Sequence, residues 1–330
     1  MNQSKPSIYR AMLGAFVGDA AGATLEFGRR PVTKDAAEEA MRMPGGGVMG
    51  VGPGQITDDG ELTLALWSAI RPWDSYYGIP RTNMIRAYAE WYKSRPFDCG
   101  HTCGYAFSEA CAVVDATKEG ESLHYGQMKE CEQNVKEHNA QSEANGALMR
   151  ATALATWIAG HPNTPITHCI ALAKTDAELS HPSEVCRETN QIYVLAICLM
   201  LRGEDPPTTL RYISDYVEEH IQNEKVKQWF FHDSLDISEL DCDRTIGHVR
   251  WAFTLAIYFL RNPHISYEDA ICTTLMKGGD TDTNACIVGG LVACYKPIPE
   301  SMLRPVLTFD CTKEGIARPE AYSVKKWFGV

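Results

Sequence analysis

Two short acidic segments hold the residues of this chain that are best suited to chemistry. One is Thr57-Asp58-Asp59 and the other is Asp280-Thr281-Asp282-Thr283. Each combines two carboxylates with a threonine hydroxyl and stands directly before an apolar run of helical periodicity. Because carboxylates at such spacing repel one another, a bound cation would stabilise them. Ligand sets made only of oxygen favour hard ions such as Mg²⁺ or Mn²⁺ over zinc. The sequence therefore predicts a metal site built from both ends of the chain.

The same residues also have other interpretations. Asp and Thr are common N-cap residues, and Asp-Gly and Gly-Gly pairs are typical of turns. A helix N-terminus repels a cation, so a metal there needs several carboxylates, and the two segments supply them. From the residues alone, a metal-dependent phosphohydrolase of unrelated fold stays open. A zinc site at Cys99-Gly100-His101-Thr102-Cys103 is weakly supported, because no second Cys/His pair of matching spacing follows.

Helices must position these segments, because apolar residues follow a helical period along most of the chain. No run alternates in the manner of strands joined by hairpin turns. We therefore predict an all-α fold, with residues 1–330 forming a single domain without an internal linker. The helices predicted after the first are 61–70, 83–93, 102–112, 145–159, 166–179, 183–201, 208–219, 244–260, 267–276 and 284–295.

The first helix is predicted at residues 8–25 and contains three glycines at four-residue spacing, Gly14, Gly18 and Gly22. Glycine weakens a helix by about 1 kcal/mol at each site, so three in register need a compensating reason. We expect another backbone to approach this helix closely, and we expect the helix to be buried.

Composition limits the function classes. The chain is 45% hydrophobic and 22% charged, which is typical of a soluble globular protein. A formal net charge of −11 argues against a broad nucleic-acid surface. No apolar stretch has the length of a membrane span, and the start has no signal-peptide core. The twelve cysteines are scattered, which favours free thiols in a reducing compartment. We predict a cytoplasmic monomer with no membrane partner.

Several motifs in a fixed order resemble one enzyme family. They are the segments 18–27 (GDAAGATLEF), 57–59 (TDD), 145–150 (NGALMR), 180–181 (SH) and 278–283 (GGDTDT). With these motifs, the chain resembles the ADP-ribosylglycohydrolases from about residue 8 to residue 295. The segment 18–27 is especially similar to the arginine-specific bacterial members of that family.

The resemblance implies an all-helical domain around two Mg²⁺ or Mn²⁺ ions. It also implies hydrolysis of the glycosidic bond between ADP-ribose and an acceptor side chain, with an ADP-ribosylated protein as substrate and ADP-ribose as product. Asp282 would bridge the two ions. The remaining ligands would be Thr57, Asp58 and Asp59 for one ion, and Asp280 and Thr283 for the other.

The resemblance also implies which residues surround the bond that is cleaved. Glu26 would lie beside the metals, and it is our first candidate for activating water or carrying the leaving group's proton. Asp98 is the second candidate. The residues implied to line the ADP-ribose cleft are Gly100, His101, Asn145, Gly146 and His181.

The chain departs from the family pattern at two places that concern specificity. Gly60 and Glu61 follow Thr57-Asp58-Asp59 where a threonine is common, and His101 replaces a smaller polar residue. Neither change removes a predicted metal ligand. The predicted substrate is ADP-ribosylarginine; the alternatives are O-linked (serine) ADP-ribose or another ADP-ribosyl conjugate, and a non-catalytic ADP-ribose-binding or structural role.

Overall fold

Helices account for the regular structure of the computed structural model, which describes residues 8–28, 30–73, 80–116 and 125–329. Within these ranges there is no β-strand, and the prediction of an all-α fold is confirmed. The α-helices are α1 (Arg10–Gly22), α2 (Lys34–Ala40), α3 (Asp58–Ile70), α4 (Arg81–Lys93), α5 (His101–Asp115), α6 (Tyr125–Asn139), α7 (Ala151–Ala159), α8 (Ile166–Glu178), α9 (Glu184–Leu201), α10 (Pro206–His220), α11 (Glu224–Phe231), α12 (Val249–Arg261), α13 (Tyr267–Met276), α14 (Thr281–Val292), α15 (Glu300–Thr308) and α16 (Val324–Phe328).

Most predicted helices agree with the structure to within a few residues, but two begin later than predicted. The helices predicted to start at residues 145 and 244 begin at Ala151 and Val249. The preceding segments instead pair with each other, because the Asn145 N–H donates to the Gly247 carbonyl over 2.9 Å. Gly247 has φ +79°, a left-handed conformation that favours glycine and interrupts a helix. These two turns consequently form part of the cleft described below.

The glycines of α1 allow its backbone to touch that of α14. A Cβ atom at Gly18 would lie 2.0 Å from the Ala285 carbonyl oxygen, and one at Gly22 would lie 2.4 Å from the Asp282 Cα. No side chain fits at these distances, which is the compensation that the three glycines needed. α1 is almost wholly buried, as predicted. Its last turn therefore positions the first turn of α14, which carries Asp282.

The core joins the two ends of the chain. One hydrophobic cluster of buried side chains extends from Ala11 in α1 to Val324 in α16. All twelve cysteines carry free thiols, in agreement with the sequence. Among the described residues, no helix combines the length and the apolar character that crossing a membrane requires.

Candidate active site

A cleft of about 410 Å³ opens where the end of α1 meets the first turns of α3, α5 and α14. Most of the predicted site residues line it, while Thr57 and Asp59 lie fully buried beside it. The predicted residues on its wall are Glu26, Asp58, Asp98, Gly100, His101, Asn145, Gly146, His181, Asp280, Asp282 and Thr283. Residues from distant parts of the chain therefore meet at one cleft.

Carboxylates form two groups in this site, and Asp282 belongs to both. One oxygen each from Asp19, Asp59 and Asp282 lie within 4.8 Å of one another. One oxygen each from Glu26, Asp98 and Asp282 satisfy the same limit. Such a shared position suits the bridging role predicted for Asp282. The other members differ from the predicted ligand sets, since Asp58 and Asp280 line the cleft without belonging to either group.

Asp19 is a candidate site residue that sequence reasoning missed. It lies in α1 with no exposed surface. Its carboxylate accepts hydrogen bonds from the Thr57 N–H at 3.0 Å, the Thr57 hydroxyl at 2.9 Å and the Gly60 N–H at 2.8 Å. A Cβ atom at position 60 would lie 2.7 Å from an Asp19 oxygen, which gives the departure at Gly60 a physical reason. The available signal was an acidic residue within an otherwise apolar helix.

Two buried carboxylate oxygens at this site have no hydrogen-bond partner among the described residues. They are Asp59 Oδ1 and Glu26 Oε2. The other Asp59 oxygen accepts from the hydroxyls of Thr57 at 3.0 Å and Thr283 at 3.3 Å. An unpaired buried anionic oxygen is costly, and either a proton or a cation would compensate its charge. The residues present therefore fit a hard divalent cation.

The acidic residues are held in an environment that disfavours their charge. Burial, reinforced by neighbouring carboxylates, raises the pKa of Asp19 to about 7 and that of Glu26 to about 8. The same causes raise the pKa values of Asp59 and Asp282 well above their ordinary value. Among the described residues, no lysine or arginine lines the cleft to offset them. Protons or a bound cation must therefore compensate this charge.

The loop before α14 owes its shape to two glycines. Gly278 and Gly279 have φ values of +71° and +70°, which other residues rarely adopt. The Gly279 N–H donates to an Asp243 carboxylate oxygen over 2.7 Å. The loop then presents Asp280, whose Oδ2 accepts a 2.8 Å hydrogen bond from the Asn145 side chain. Asn145 thus contacts the acidic cluster directly.

The start of α5 offers N–H donors to the cleft. α5 begins after Gly100 without a side-chain cap, which leaves the first-turn N–H groups without an intrahelical partner. Residues 100–103 line the cleft. An anionic group can be bound by such a helix start.

The zinc interpretation finds no support in the structure. Among the described residues, the groups with three potential ligands in reach of one ion contain only carboxylates. Cys103 instead packs against Gly146, where a Cβ atom would lie 2.8 Å from its sulfur. Burial raises the pKa of the Cys99 thiol to about 12, which disfavours the thiolate that zinc requires.

The sequence and the fold of this chain are similar to those of known proteins. The family model described as ADP-ribosylglycohydrolase matches residues 2–325. A provisionally named ADP-ribosyl glycohydrolase of Acanthamoeba polyphaga mimivirus is 30% identical, over 95% of this chain and 96% of that protein. The ADP-ribosyl-(dinitrogen reductase) glycohydrolase of Rhodospirillum rubrum is 32% identical, over 87% of this chain and 85% of that protein. A solved ADP-ribosylglycohydrolase-related protein complex has the same fold, with a TM-score of 0.66 at 20% identity, covering 90% of this chain and 92% of that chain.

Proposed function

This chain belongs to the ADP-ribosylglycohydrolase family, and on that premise we propose that it is a metal-dependent hydrolase of mono-ADP-ribosylated proteins. The bond that it cleaves is the N-glycosidic bond to an arginine side chain, and the product is ADP-ribose. The observation that carries the proposal is the pair of buried carboxylate groups that share Asp282. Two of their buried oxygens, Glu26 Oε2 and Asp59 Oδ1, have no hydrogen-bond partner among the described residues. Glu26 lines the cleft, and so do the N–H groups at the start of α5.

The proposed metal ligands are those that the resemblance implies. Thr57, Asp58, Asp59, Asp280, Asp282 and Thr283 would hold two Mg²⁺ or Mn²⁺ ions. Asp19 would support this set by accepting hydrogen bonds from Thr57 and Gly60. When bound, such ions would orient the hydroxyls of the distal ribose and stabilise charge that develops near the anomeric carbon.

Glu26 is the proposed acid–base residue. Its side chain is 7% exposed, and one of its oxygens lies within 4.8 Å of both an Asp98 and an Asp282 oxygen. Burial and the neighbouring carboxylates raise its pKa to about 8. Hydrolysis breaks the bond between the anomeric carbon and nitrogen, adds the hydroxyl of water to carbon and requires a proton on nitrogen. A carboxyl group that both accepts and donates a proton suits this need.

The decisive experiment incubates the protein with an arginine-ADP-ribosylated protein in Mn²⁺ and in EDTA, and measures released ADP-ribose. We expect release in Mn²⁺ but not in EDTA. Asp282→Asn should lose about 100-fold, because a neutral amide replaces the carboxylate that belongs to both groups. Asp35→Asn, an exposed aspartate of α2, is the matched control and should retain full release.

Other results would revise the proposal in defined ways. Release only from serine-linked substrate would move the linkage to oxygen. Release of inorganic phosphate instead of ADP-ribose would favour the phosphohydrolase interpretation. Tight ADP-ribose binding without turnover on any linkage would indicate a binding protein and contradict the proposed activity.

A further inference from the structure

Four buried side chains form a chain of hydrogen bonds that ends at the wall of the cleft. It runs from Asp176 through Arg150 and Ser180 to His181, over distances of 3.2, 2.9 and 2.9 Å. Each of these residues is at most 1% exposed. Only His181 lines the cleft. The acid–base chemistry proposed above does not use any of the four.

Arg150 is held in one orientation. Its Nε donates to the Asp176 carboxylate, its Nη1 donates to the Gly146 carbonyl at 3.2 Å, and its Nη2 donates to the Ser180 hydroxyl oxygen. The Tyr88 ring lies 4.6 Å from the guanidinium carbon and packs against its face. Although burial opposes its charge, Asp176 keeps the pKa of Arg150 above its ordinary value. Arg150 is therefore a cation in a fixed orientation, with its N–H groups directed at Asp176, Gly146 and Ser180.

The Ser180 hydroxyl must consequently donate to His181. An arginine has no acceptor, so the Ser180 oxygen accepts from Arg150 and its own hydrogen needs another acceptor. Among the described residues, His181 Nδ1 is the acceptor within reach. Nδ1 then accepts a hydrogen bond, and the proton of a neutral imidazole resides on Nε2. Nε2 is buried and has no partner among the described residues.

The imidazole also stays neutral. Burial and the nearby Arg150 charge lower the pKa of His181 to about 3. A neutral donor suits this cleft, because a cationic imidazole would repel metal ions bound to the carboxylates across it. A neutral N–H donor can also bind a diphosphate oxygen. Among the described residues no lysine or arginine lines the cleft, so N–H groups have to bind the anion.

From this geometry we propose that Arg150 and Ser180 fix the tautomer of His181, which presents its Nε2–H to a diphosphate oxygen of the substrate. The inference rests on the proposed function for the identity of the ligand. Arg150 and Ser180 are positioning residues, and His181 contacts the substrate. His181 is thereby excluded as a general base, because Nδ1 is occupied by the Ser180 hydroxyl and Nε2 already carries a proton.

The tautomer can be read directly by nitrogen-15 NMR of imidazole-labelled protein at neutral pH, without any substrate. We expect the His181 Nδ1 resonance in the region of an unprotonated ring nitrogen, and the Nε2 resonance in the region of a protonated one. A His181→Gln variant assigns the signals. A protonated Nδ1 in the unaltered protein would overturn the proposal, whatever the enzyme proves to hydrolyse.

Ser180→Ala tests the relay, by which we mean the hydrogen bonds from Arg150 through Ser180 to His181. Ser180→Thr is the conservative rescue because it keeps the hydroxyl. In Ser180→Ala we expect a mixture of His181 tautomers. The affinity for ADP-ribose should weaken about tenfold, which corresponds to part of the free energy of one charge-assisted hydrogen bond. The KM should rise while kcat changes little, because the contact exists before and during the reaction. Ser180→Thr should restore the tautomer and the affinity.

Ser234→Ala is the matched control for burial. Ser234 is also fully buried and also accepts from an arginine, with Arg261 Nε at 2.9 Å, but it does not line the cleft. It should leave the His181 tautomer and ADP-ribose affinity unchanged. Equal losses in both serine variants, or an unchanged tautomer in Ser180→Ala, would refute the relay. A correct tautomer in a protein that neither binds nor releases ADP-ribose would instead contradict the proposed function.

Discussion

At the scale of single residues, Asp19 determines how the first acidic segment is held. Its three hydrogen bonds position Thr57 and Gly60, and its carboxylate shares a group with Asp59 and Asp282. A carboxylate in this position acts on its neighbours by accepting hydrogen bonds, and one oxygen also faces the proposed metal site. Its contribution is therefore both structural and electrostatic.

Asp19→Asn keeps the size of the side chain but places an amide in contact with donors. One donor is then left without an acceptor, and we expect the protein to lose about 1–3 kcal/mol of stability. Mn²⁺ affinity should fall at least about tenfold, as is common when a group supporting a metal ligand is altered. Calorimetric Mn²⁺ titration and urea unfolding measure the two effects. Asp215→Asn, at an exposed aspartate of α10, is the control, and unchanged Mn²⁺ affinity in Asp19→Asn would contradict this role.

At the scale of helices, the contact between α1 and α14 positions the second acidic segment. Gly14 and Gly18 approach α14 so closely that the Gly289 and Ala285 carbonyls occupy the space of a side chain. Tyr267 of α13 reinforces the contact, since its hydroxyl donates to the Gly14 carbonyl over 2.6 Å. The position of Asp282 therefore depends on residues that carry no functional group.

Gly18→Ala should separate these helices, although alanine is the better helix former. A Cβ atom 2.0 Å from a carbonyl oxygen forces the backbones apart, and we expect a loss of about 1–3 kcal/mol. Gly126→Ala, in α6, has no atom within 4 Å of the added methyl and should be neutral or stabilising by up to about 1 kcal/mol. Urea unfolding of both variants compares them. Equal effects would show that the α1–α14 contact is not tight.

At the scale of the whole molecule, the segment after α15 returns to support α3. Arg318 donates to both carboxylate oxygens of Glu61 over 2.8 Å, and both side chains are at most 3% exposed. Trp91 of α4 donates to the same carboxylate over 2.8 Å. Arg318 also donates to the Ser94 carbonyl at 2.9 Å, shortly before Asp98 in the chain. The Arg318 guanidinium therefore contacts both the first turn of α3, which carries Asp58 and Asp59, and the segment that leads to Asp98.

Arg318→Met should destabilise the fold strongly, because it leaves the Glu61 carboxylate buried without its partner. The expected loss is about 3–5 kcal/mol. The ion pair of the exposed Lys313 with Asp310 is the comparison. Lys313→Met should cost less than about 1 kcal/mol, because Asp310 keeps Lys325 as a partner. Chemical unfolding measures both. If Arg318→Met and Lys313→Met proved equal, the return of the C-terminal segment would not support α3.

Local spacing was enough to predict the helical class, the buried first helix and the two acidic segments. Periodicity, glycine register and carboxylate spacing are properties of neighbouring residues, so they can be read without the fold. The same local information misplaced the starts of α7 and α12, because the pairing of Asn145 with Gly247 joins residues far apart in the chain. The metal ligands and the acid–base role of Glu26 stay predictions.

The folded chain was needed for every contact between distant residues. Three such contacts depend on where helices meet: the hydrogen bond between Asp19 and Thr57, the place of Asp282 in both carboxylate groups, and the hydrogen bond between Ser180 and His181. Side-chain chemistry states what each group can donate or accept. Packing determines which group lies opposite it. Glycine allows two backbones to approach closely, which fixes the partner of a side chain, and burial away from water shifts its protonation.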